Sequence, residues 1–151
     1  MPTKLASRSF ADFVPGTEVR TRARTITEAD IVAHAALSWD FYPLHTDEEY
    51  AKTTRFGRRI AHGHLIHAVS MGLMPIDFFG DALVAFIGVE SQRFTAPVYA
   101  GDTIEVHATV REARPTSSGR TGVVTVGYVT KNQHDETVME MTALFLMRHD
   151  G

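Results

Sequence analysis

A strongly apolar segment in the middle of the chain places the tightest constraint on its fold. From Gly63 the sequence reads GHLIHAVSMGLM, which puts apolar residues around most of the circumference of a helix. Pro75 is expected to end or kink this helix, because its ring removes the backbone bond to Met71. A helix enclosed on nearly all sides needs other elements around it, so we expect the rest of the chain to curl around this one.

Strand-like segments on both sides of this helix are the candidates for that enclosure. Residues 17–26 alternate polar and β-branched side chains, which predicts an edge strand. Four later strands are expected, in a meander, at residues 83–94, 103–111, 123–130 and 137–147. Val84 and Phe86 are expected to form the apolar face of the first of these. The chain therefore predicts one α+β domain over residues 1–151, in which an antiparallel sheet with an exposed edge wraps one long helix.

A second helix is predicted shortly before residue 40. Thr27 followed by Asp30 indicates its capped start. Its apolar stripe is expected to consist of Ile31, Ala35 and Leu37. This helix delivers the chain to Asp40.

Asp40 and His45 form an acid and imidazole pair whose spacing requires irregular backbone. Residues five apart lie about 140° from each other around a helix and on opposite faces of a strand. Pro43 lies between them, fixes its own φ and disfavours helix at the preceding residue, so a turn or loop is expected. Such a bend would let the two side chains converge on one reacting atom. Spacing alone favours a simpler interpretation, in which Asp40 is a solvated turn residue and His45 a packed loop histidine.

The residues after His45 read as a helix start. In Thr46-Asp47-Glu48-Glu49 the threonine hydroxyl can accept from the third following amide while the glutamate reaches back, which is the capping-box pattern. A short helix is therefore predicted from Asp47 to about Thr54, with His45 held one residue outside it.

Composition excludes several classes of function. A net charge of -3 and a pI near 6.2 argue against non-specific binding to nucleic acid or an anionic membrane. The absence of cysteine removes disulfides, thiol chemistry and thiolate zinc sites. No segment resembles a signal peptide or a membrane-spanning helix, so a cytoplasmic protein is expected.

The segment from Ser38 to Gly63 resembles the active-site motif of the MaoC-like dehydratases, the group of (R)-specific enoyl-thioester hydratases. The first half of that motif is matched by Ser38, Asp40, Pro43, Leu44, His45 and Ala51. The second half is matched by Phe56, Gly57, Ile60, Ala61, His62 and Gly63. The similarity extends more loosely from about residue 25 to residue 145. Trp39 and Tyr42 depart from the family pattern, because glycine and asparagine usually occupy these positions.

This resemblance implies a hotdog fold, in which two protomers pair edge to edge and the acyl site lies at or near their interface. It implies a homodimer that acts on an acyl-CoA or acyl-carrier-protein thioester, without a cofactor. Asp40 and His45 would hold and deprotonate the water and supply a proton to C2, in either assignment of acid and base. Gly63 would donate its backbone N–H to the enolate oxygen from the start of the long helix. Without the motif, Gly63 is equally well explained as an ordinary tight turn.

Further residues are candidates for substrate binding. Trp39 and Tyr42 flank the acid and are expected to shape the acyl pocket, and His62 borders the start of the helix. Arg59 belongs to a basic cluster that is either a solvated face or an attraction for coenzyme A phosphates; its other members are Lys52, Arg55 and Arg58. A metal site built from His62, His64 and His67 is not expected, because no carboxylate lies near them in sequence.

Two alternative functions remain open from the sequence. A hotdog thioesterase would hydrolyse the same kind of substrate, but such enzymes commonly carry an acid on or beside the central helix, and residues 63–74 contain none. A non-catalytic acyl-thioester binding subunit is the other alternative, and the presence of both Asp40 and His45 argues against it.

Overall fold

The computed structural model describes residues 3–149 and contains five α-helices and six strands within that range. The helices are α1 Glu28–Ser38, α2 Pro43–Thr46, α3 Glu48–Lys52, α4 Gly63–Leu73 and α5 Ile76–Phe79. The strands are β1 Glu18–Arg20, β2 Arg24–Thr25, β3 Leu83–Phe94, β4 Thr103–Pro115, β5 Thr121–Lys131 and β6 Thr137–Arg148. Between residues 3 and 149, none of the helices is long and apolar enough to cross a membrane.

The strands form one antiparallel sheet in the order β1-β4-β5-β6-β3, with β2 also paired to β4. The predicted meander is correct only for β4 to β6. β3 pairs with β6, because the segment between β3 and β4 crosses over instead of forming a hairpin. That segment is held by hydrogen bonds from the Ala61 N–H to the Val98 carbonyl and from the Gly101 N–H to the Ile26 carbonyl. The expected strand over residues 17–26 is divided into β1 and β2, which gives six strands instead of five.

The long helix α4 packs against the inner face of this sheet, as predicted. Its sheet-facing residues Leu65, Ile66 and Val69 are buried in the main core cluster. The clean alternation predicted for β4 is also observed, with Ile104, Val106, Ala108 and Val110 all buried. Burial of each large aliphatic side chain is worth about 1.5–3 kcal/mol, so this contact between helix and sheet stabilises the fold by several kcal/mol. The enclosure predicted on nearly all sides of α4 leaves one exposed stripe, which is formed by His64, Ala68 and Gly72.

The end of α4 also agrees with the prediction from the sequence. Met74 is its C-cap, and Pro75 comes directly after it, which stops the helix as expected. The chain then turns through α5 and a short 3₁₀ segment into β3.

Strand β3 is interrupted by three bulges. Its pairing with β6 skips Val84, Ile87 and Glu90, which have no partner residue on β6. Each extra residue resets the alternation of side chains between the two faces. For this reason Val84 and Phe86 are both substantially exposed, and the expected apolar face of β3 is not formed within the described residues.

Helix α1 begins with the predicted capping box. The Thr27 hydroxyl accepts from the Asp30 N–H, and the Asp30 carboxylate accepts from the Thr27 N–H. Ile31 and Ala35 are buried as expected, but Leu37 is 84% exposed. The prediction for Leu37 is wrong because six residues of helix turn it about 120° away from Ile31.

Trp39 ends α1 in a conformation that is unusual for a residue with a side chain. Its φ is 64°, in the left-handed region, and its side chain is 85% exposed. The left-handed conformation destabilises a non-glycine residue by about 1–2 kcal/mol, and an exposed indole offsets little of this by packing. The glycine common at this position in MaoC-like dehydratases would avoid this destabilisation.

We predict that Trp39→Gly raises the free energy of unfolding by about 0.5–1 kcal/mol, because relief of the left-handed strain exceeds the extra entropy of glycine in the unfolded chain. Trp39→Ala is the matched control, since it removes the indole but keeps the Cβ that causes the strain. Urea denaturation of the three proteins measures the difference. A gain as large for alanine as for glycine would show that the indole, and not the backbone, is the source.

Candidate active site

The segment between α1 and α3 carries the two principal candidate residues. Asp40 lies in the irregular stretch after Trp39, where its N–H donates to the Ser38 hydroxyl and its carboxylate accepts from the Tyr42 N–H at 3.2 Å. Pro43 begins the four-residue helix α2, in which His45 is the third residue. The expected bend is therefore made partly of helix, with proline at the first helical position, where its missing N–H costs nothing.

The capping box predicted at Thr46 is not formed. Thr46 is the last residue of α2, and its hydroxyl donates to the carbonyls of Phe41 and Tyr42. Asp47 caps the next helix instead, since its carboxylate accepts from the Tyr50 N–H at 3.0 Å. Helix α3 accordingly starts one residue later and ends two residues earlier than predicted, at residues 48 and 52.

His45 is oriented by the backbone that leads into α4. Its Nδ1 lies 2.8 Å from the carbonyl oxygen of Ile60. A carbonyl can only accept, so Nδ1 carries the hydrogen in the neutral ring and Nε2 is left as a free acceptor. The Ile60 N–H in turn donates to the carbonyl of Leu44, one residue before His45. This tautomer is the one a general base needs.

Asp40, His45 and His62 converge. One carboxylate or ring-nitrogen atom from each residue lies within 4.8 Å of the other two. Asp40 and His45 are half-buried, whereas His62 is buried. The Asp40 carboxylate and one ring nitrogen of His45 are therefore close enough for one water molecule to bridge them.

His62 packs directly against this pair. Its ring stacks on the ring of His45 with 3.9 Å between centroids and 26° between planes. Its Nε2 lies 2.9 Å from the backbone carbonyl oxygen of Asp40. Burial, which disfavours the charged form, lowers the pKa of His62 below that of a solvated imidazole, and His45 and His34 lower it further. His62 is therefore neutral at neutral pH.

Gly63 is the first residue of α4, as predicted, and no side chain caps this helix start. The N–H groups of its first turn are thus available to an external acceptor at the positive end of the helix dipole. A cavity of about 290 Å³ opens at Gly63 and is lined also by Phe56, Phe94, Pro97 and Val98. The phenyl ring of Phe94 comes so close that a Cβ on residue 63 would lie 2.8 Å from it.

Comparison with known proteins identifies the family. The MaoC like domain family matches residues 11–134, which is most of the chain. The chain belongs to the MaoC-like dehydratase family. The (R)-specific enoyl-CoA hydratase of Aeromonas caviae is 40% identical over 102 residues, covering 66% of this chain and 75% of that protein. The chain spans only 30% and 40% of the length of two longer relatives.

Solved structures confirm the predicted architecture. A protein from Archaeoglobus, described as a monoamine oxidase regulatory protein, superposes with a TM-score of 0.89 at 36% identity, covering 95% of this chain and 96% of that one. A Mycobacterium tuberculosis protein described as a double hotdog fold superposes with a TM-score of 0.82 at 19% identity, covering 95% of this chain and 44% of that one. The MaoC-like chain therefore has the α+β hotdog fold, in which an antiparallel sheet packs around α4.

The predicted substrate-binding residues are not gathered at the cavity beside Gly63. Trp39 is exposed, and the exposed Tyr42 places its hydroxyl 3.3 Å from that of Tyr50. Arg59 lies between the carboxylates of Glu28 and Glu48, and hydrogen bonds to both raise the pKa of its guanidinium. Its charge is therefore matched within the protein, where it joins α1 to α3.

Other residues line the cavity instead. Arg55 lies at its wall. Arg58 is not among the lining residues and stacks over the ring of Tyr99 at 3.9 Å. Phe94 is the last residue of β3, and Pro97 and Val98 belong to the crossover that follows it. Their position at the cavity depends on the strand order of the sheet. Sequence patterns give no signal for this placement, because the crossover could not be told from a hairpin.

Asp40, His45 and His62 also form a set of side chains that could ligate a cation. The ring geometry disfavours this use. The lone pairs of imidazole lie in the ring plane, so two stacked rings direct them side by side and not toward one point. The tetrahedral geometry of zinc requires convergent lone pairs. A site without metal therefore stays our prediction.

We predict opposite effects of a methyl group at residue 63 in two backgrounds. Gly63→Ala should lower the free energy of unfolding by about 1 kcal/mol, because the new Cβ overlaps the Phe94 ring. In a Phe94→Ala background the same change should be neutral or stabilising by up to about 1 kcal/mol, since alanine favours helix over glycine. A double-mutant cycle by thermal denaturation measures the coupling. Equal effects in both backgrounds would contradict the contact.

Proposed function

We propose that this MaoC-like protein catalyses the (R)-specific addition of water to trans-2-enoyl thioesters, or the reverse dehydration of 3-hydroxyacyl thioesters. The observation that carries the proposal is the convergence of Asp40 and His45, with the free ring nitrogen of His45 set by the Ile60 carbonyl. The name of the Aeromonas caviae relative supports the same reaction class.

The pair supplies proton transfer in both halves of the reaction. A water held between Asp40 and His45 gives a proton to the pair while its oxygen forms a bond to C3. The π electrons of the C2–C3 bond move toward the thioester, and a proton from the pair then forms the bond to C2. One proton enters the pair and one leaves it, so the site returns to its starting state.

The N-terminus of α4 is suited to stabilise the charge on the thioester oxygen. Negative charge develops on the thioester oxygen as water adds, and the uncapped N–H of Gly63 can donate to it. Such a donor contributes roughly 10²–10³-fold to rate in comparable sites. Glycine suits this position, because the Cβ of any larger residue would overlap the ring of Phe94.

The cavity beside Gly63 offers a path for the carrier arm of the thioester. Its apolar wall comes from Phe56, Phe94 and Pro97, and Arg55 provides a cation at its edge. Arg55 is thus better placed than Arg59 to meet the phosphates of coenzyme A or of a phosphopantetheine group.

Hydration of a short trans-2-enoyl-CoA tests the proposal. We expect activity in the wild type and losses of about 10²–10⁴-fold in kcat for Asp40→Asn and for His45→Ala, because each removes a proton-transfer group. The decrease in absorbance of the conjugated thioester measures the rate, and chiral analysis of the 3-hydroxyacyl product tests the (R) assignment. Lys4→Ala, at an exposed position near the N-terminus, is the control.

Three results would contradict the proposal. Hydration that survives both substitutions would remove Asp40 and His45 from the mechanism. Release of free thiol from acyl-CoA without hydration would identify a thioesterase, and binding of thioesters without turnover would identify a non-catalytic subunit.

The unpaired edge of the sheet at β3 indicates how two copies of the chain would pair. The outer side of β3 pairs with no other strand in the described part of the chain, and the strand exposes several large apolar side chains. These are Leu83, Val84, Phe86, Ile87, Val89 and Phe94. Two copies joined at this edge would cover them, which is the homodimer expected for a hotdog protein.

We predict that the wild type is a dimer at micromolar concentration. Ile87→Lys should shift it toward monomer, because burying a charged side chain at the paired edge carries a desolvation penalty. Light scattering coupled to size exclusion measures the mass of each protein. Val14→Lys, which adds the same charge at another exposed apolar position, is the matched control. A monomeric wild type, or a dimer unaffected by Ile87→Lys, would contradict this interface.

A further inference from the structure

His62 is the most deeply buried of the three converging side chains. Only 1% of its surface is exposed, although it carries two polar nitrogens. Its neutral ring has one N–H, and the carbonyl of Asp40 can only accept, so that hydrogen lies on Nε2. Its Nδ1 has no hydrogen-bond partner among the described residues. A polar ring retained at such a position requires an explanation.

One part of the explanation is the bond to Asp40. The backbone at residues 39–42 has no regular secondary structure, and it begins with the left-handed residue Trp39. The His62 N–H fixes the carbonyl of Asp40 across 22 residues of sequence and thereby ties this irregular segment to the start of α4. The carboxylate of Asp40 is attached to the same residue, so its position depends on that bond.

The other part is the contact with His45. The two rings stack at 3.9 Å, and the ring of His34 lies 4.9 Å from His62. His62 thus has little freedom to rotate, and it limits the freedom of His45. A neutral ring face is also a favourable neighbour for His45 when that residue becomes an imidazolium.

We propose, on the basis of the proposed hydratase function, that His62 is a positioning residue that holds both members of the proton-transfer pair. It acts on Asp40 through the Nε2–H bond to the carbonyl and on His45 through ring stacking. Direct substrate binding, which the sequence suggested for His62, is disfavoured by its burial and by the use of its one N–H inside the protein.

Two amide substitutions separate this role from a general structural one. Glutamine places its amide nitrogen about as far from the backbone as Nε2, whereas the shorter asparagine reaches only as far as Nδ1. We expect His62→Asn to lower kcat for enoyl-CoA hydration by about 10²-fold, the scale of a small misplacement of reacting groups. We expect His62→Gln to recover at least about a tenfold part of that loss, because it restores the donor to Asp40.

The Michaelis constant supplies the second readout. A positioning residue does not touch substrate, so KM should stay within about threefold of the wild type in both variants. His64→Asn and His64→Gln are controls at an exposed position of α4, and they should leave kcat unchanged. Thermal denaturation of all variants shows whether loss of folded protein accounts for any loss of rate.

The outcomes are distinct. Equal values of kcat in the glutamine and asparagine variants, or an effect confined to KM, would overturn the positioning role while leaving the hydratase proposal intact. A wild type without hydratase activity would overturn the proposed function itself, and the role of His62 with it.

Discussion

The packing of α4 against the inner face of the sheet is the contact on which the rest of the molecule depends. Leu65, Ile66 and Val69 bury one side of this helix against alternating residues of β4 to β6. That burial fixes the position of residue 63, and with it the direction of the first unbonded N–H groups. The residues just before the helix then reach outward: Ile60 accepts from His45, and His62 donates to Asp40. The site is therefore built on the entry to a buried helix, although its acid and imidazole lie far earlier in the chain.

The two histidines use backbone carbonyls in the same way but for different ends. In His45 the bond from Nδ1 leaves Nε2 free to exchange a proton with water. In His62 the bond from Nε2 leaves a buried Nδ1 that has no hydrogen-bond partner among the described residues. Exposure separates their roles, since only the half-buried ring of His45 can meet solvent or substrate. A mobile loop histidine would sample both tautomers, whereas these two are each held in one.

Local signals in the sequence predicted the elements but not their neighbours. The start of α4 at Gly63 and its end before Pro75 follow from apolar periodicity and proline chemistry, and α1 follows from Thr27 and Asp30. The pairing of β3 with β6 could not be predicted, because strand order depends on contacts distant in sequence.

The site shows the same division between local and distant information. Family resemblance located Asp40 and His45, and spacing showed that regular structure could not bring them together. The hydrogen bonds of the Thr46 hydroxyl were harder to predict, because several groups near it can accept a hydrogen bond. The Thr46 hydroxyl had backbone carbonyls within reach and bonded to these, so Asp47 took over the cap. The prediction that Arg59 binds substrate did not anticipate its ion pair with Glu28, because Glu28 is far away in sequence but adjacent in space.

The bulges of β3 have a consequence for how this protein behaves at high concentration. An uninterrupted apolar edge would accept strand after strand and seed open-ended fibres. Here Val84, Ile87 and Glu90 break the ladder at regular intervals, so a foreign strand finds only short matching stretches. In the proposed homodimer, a second copy related by twofold symmetry would carry the same interruptions in reverse order and would leave no β3 edge unpaired. The irregular strand thus favours a closed pair over a growing aggregate.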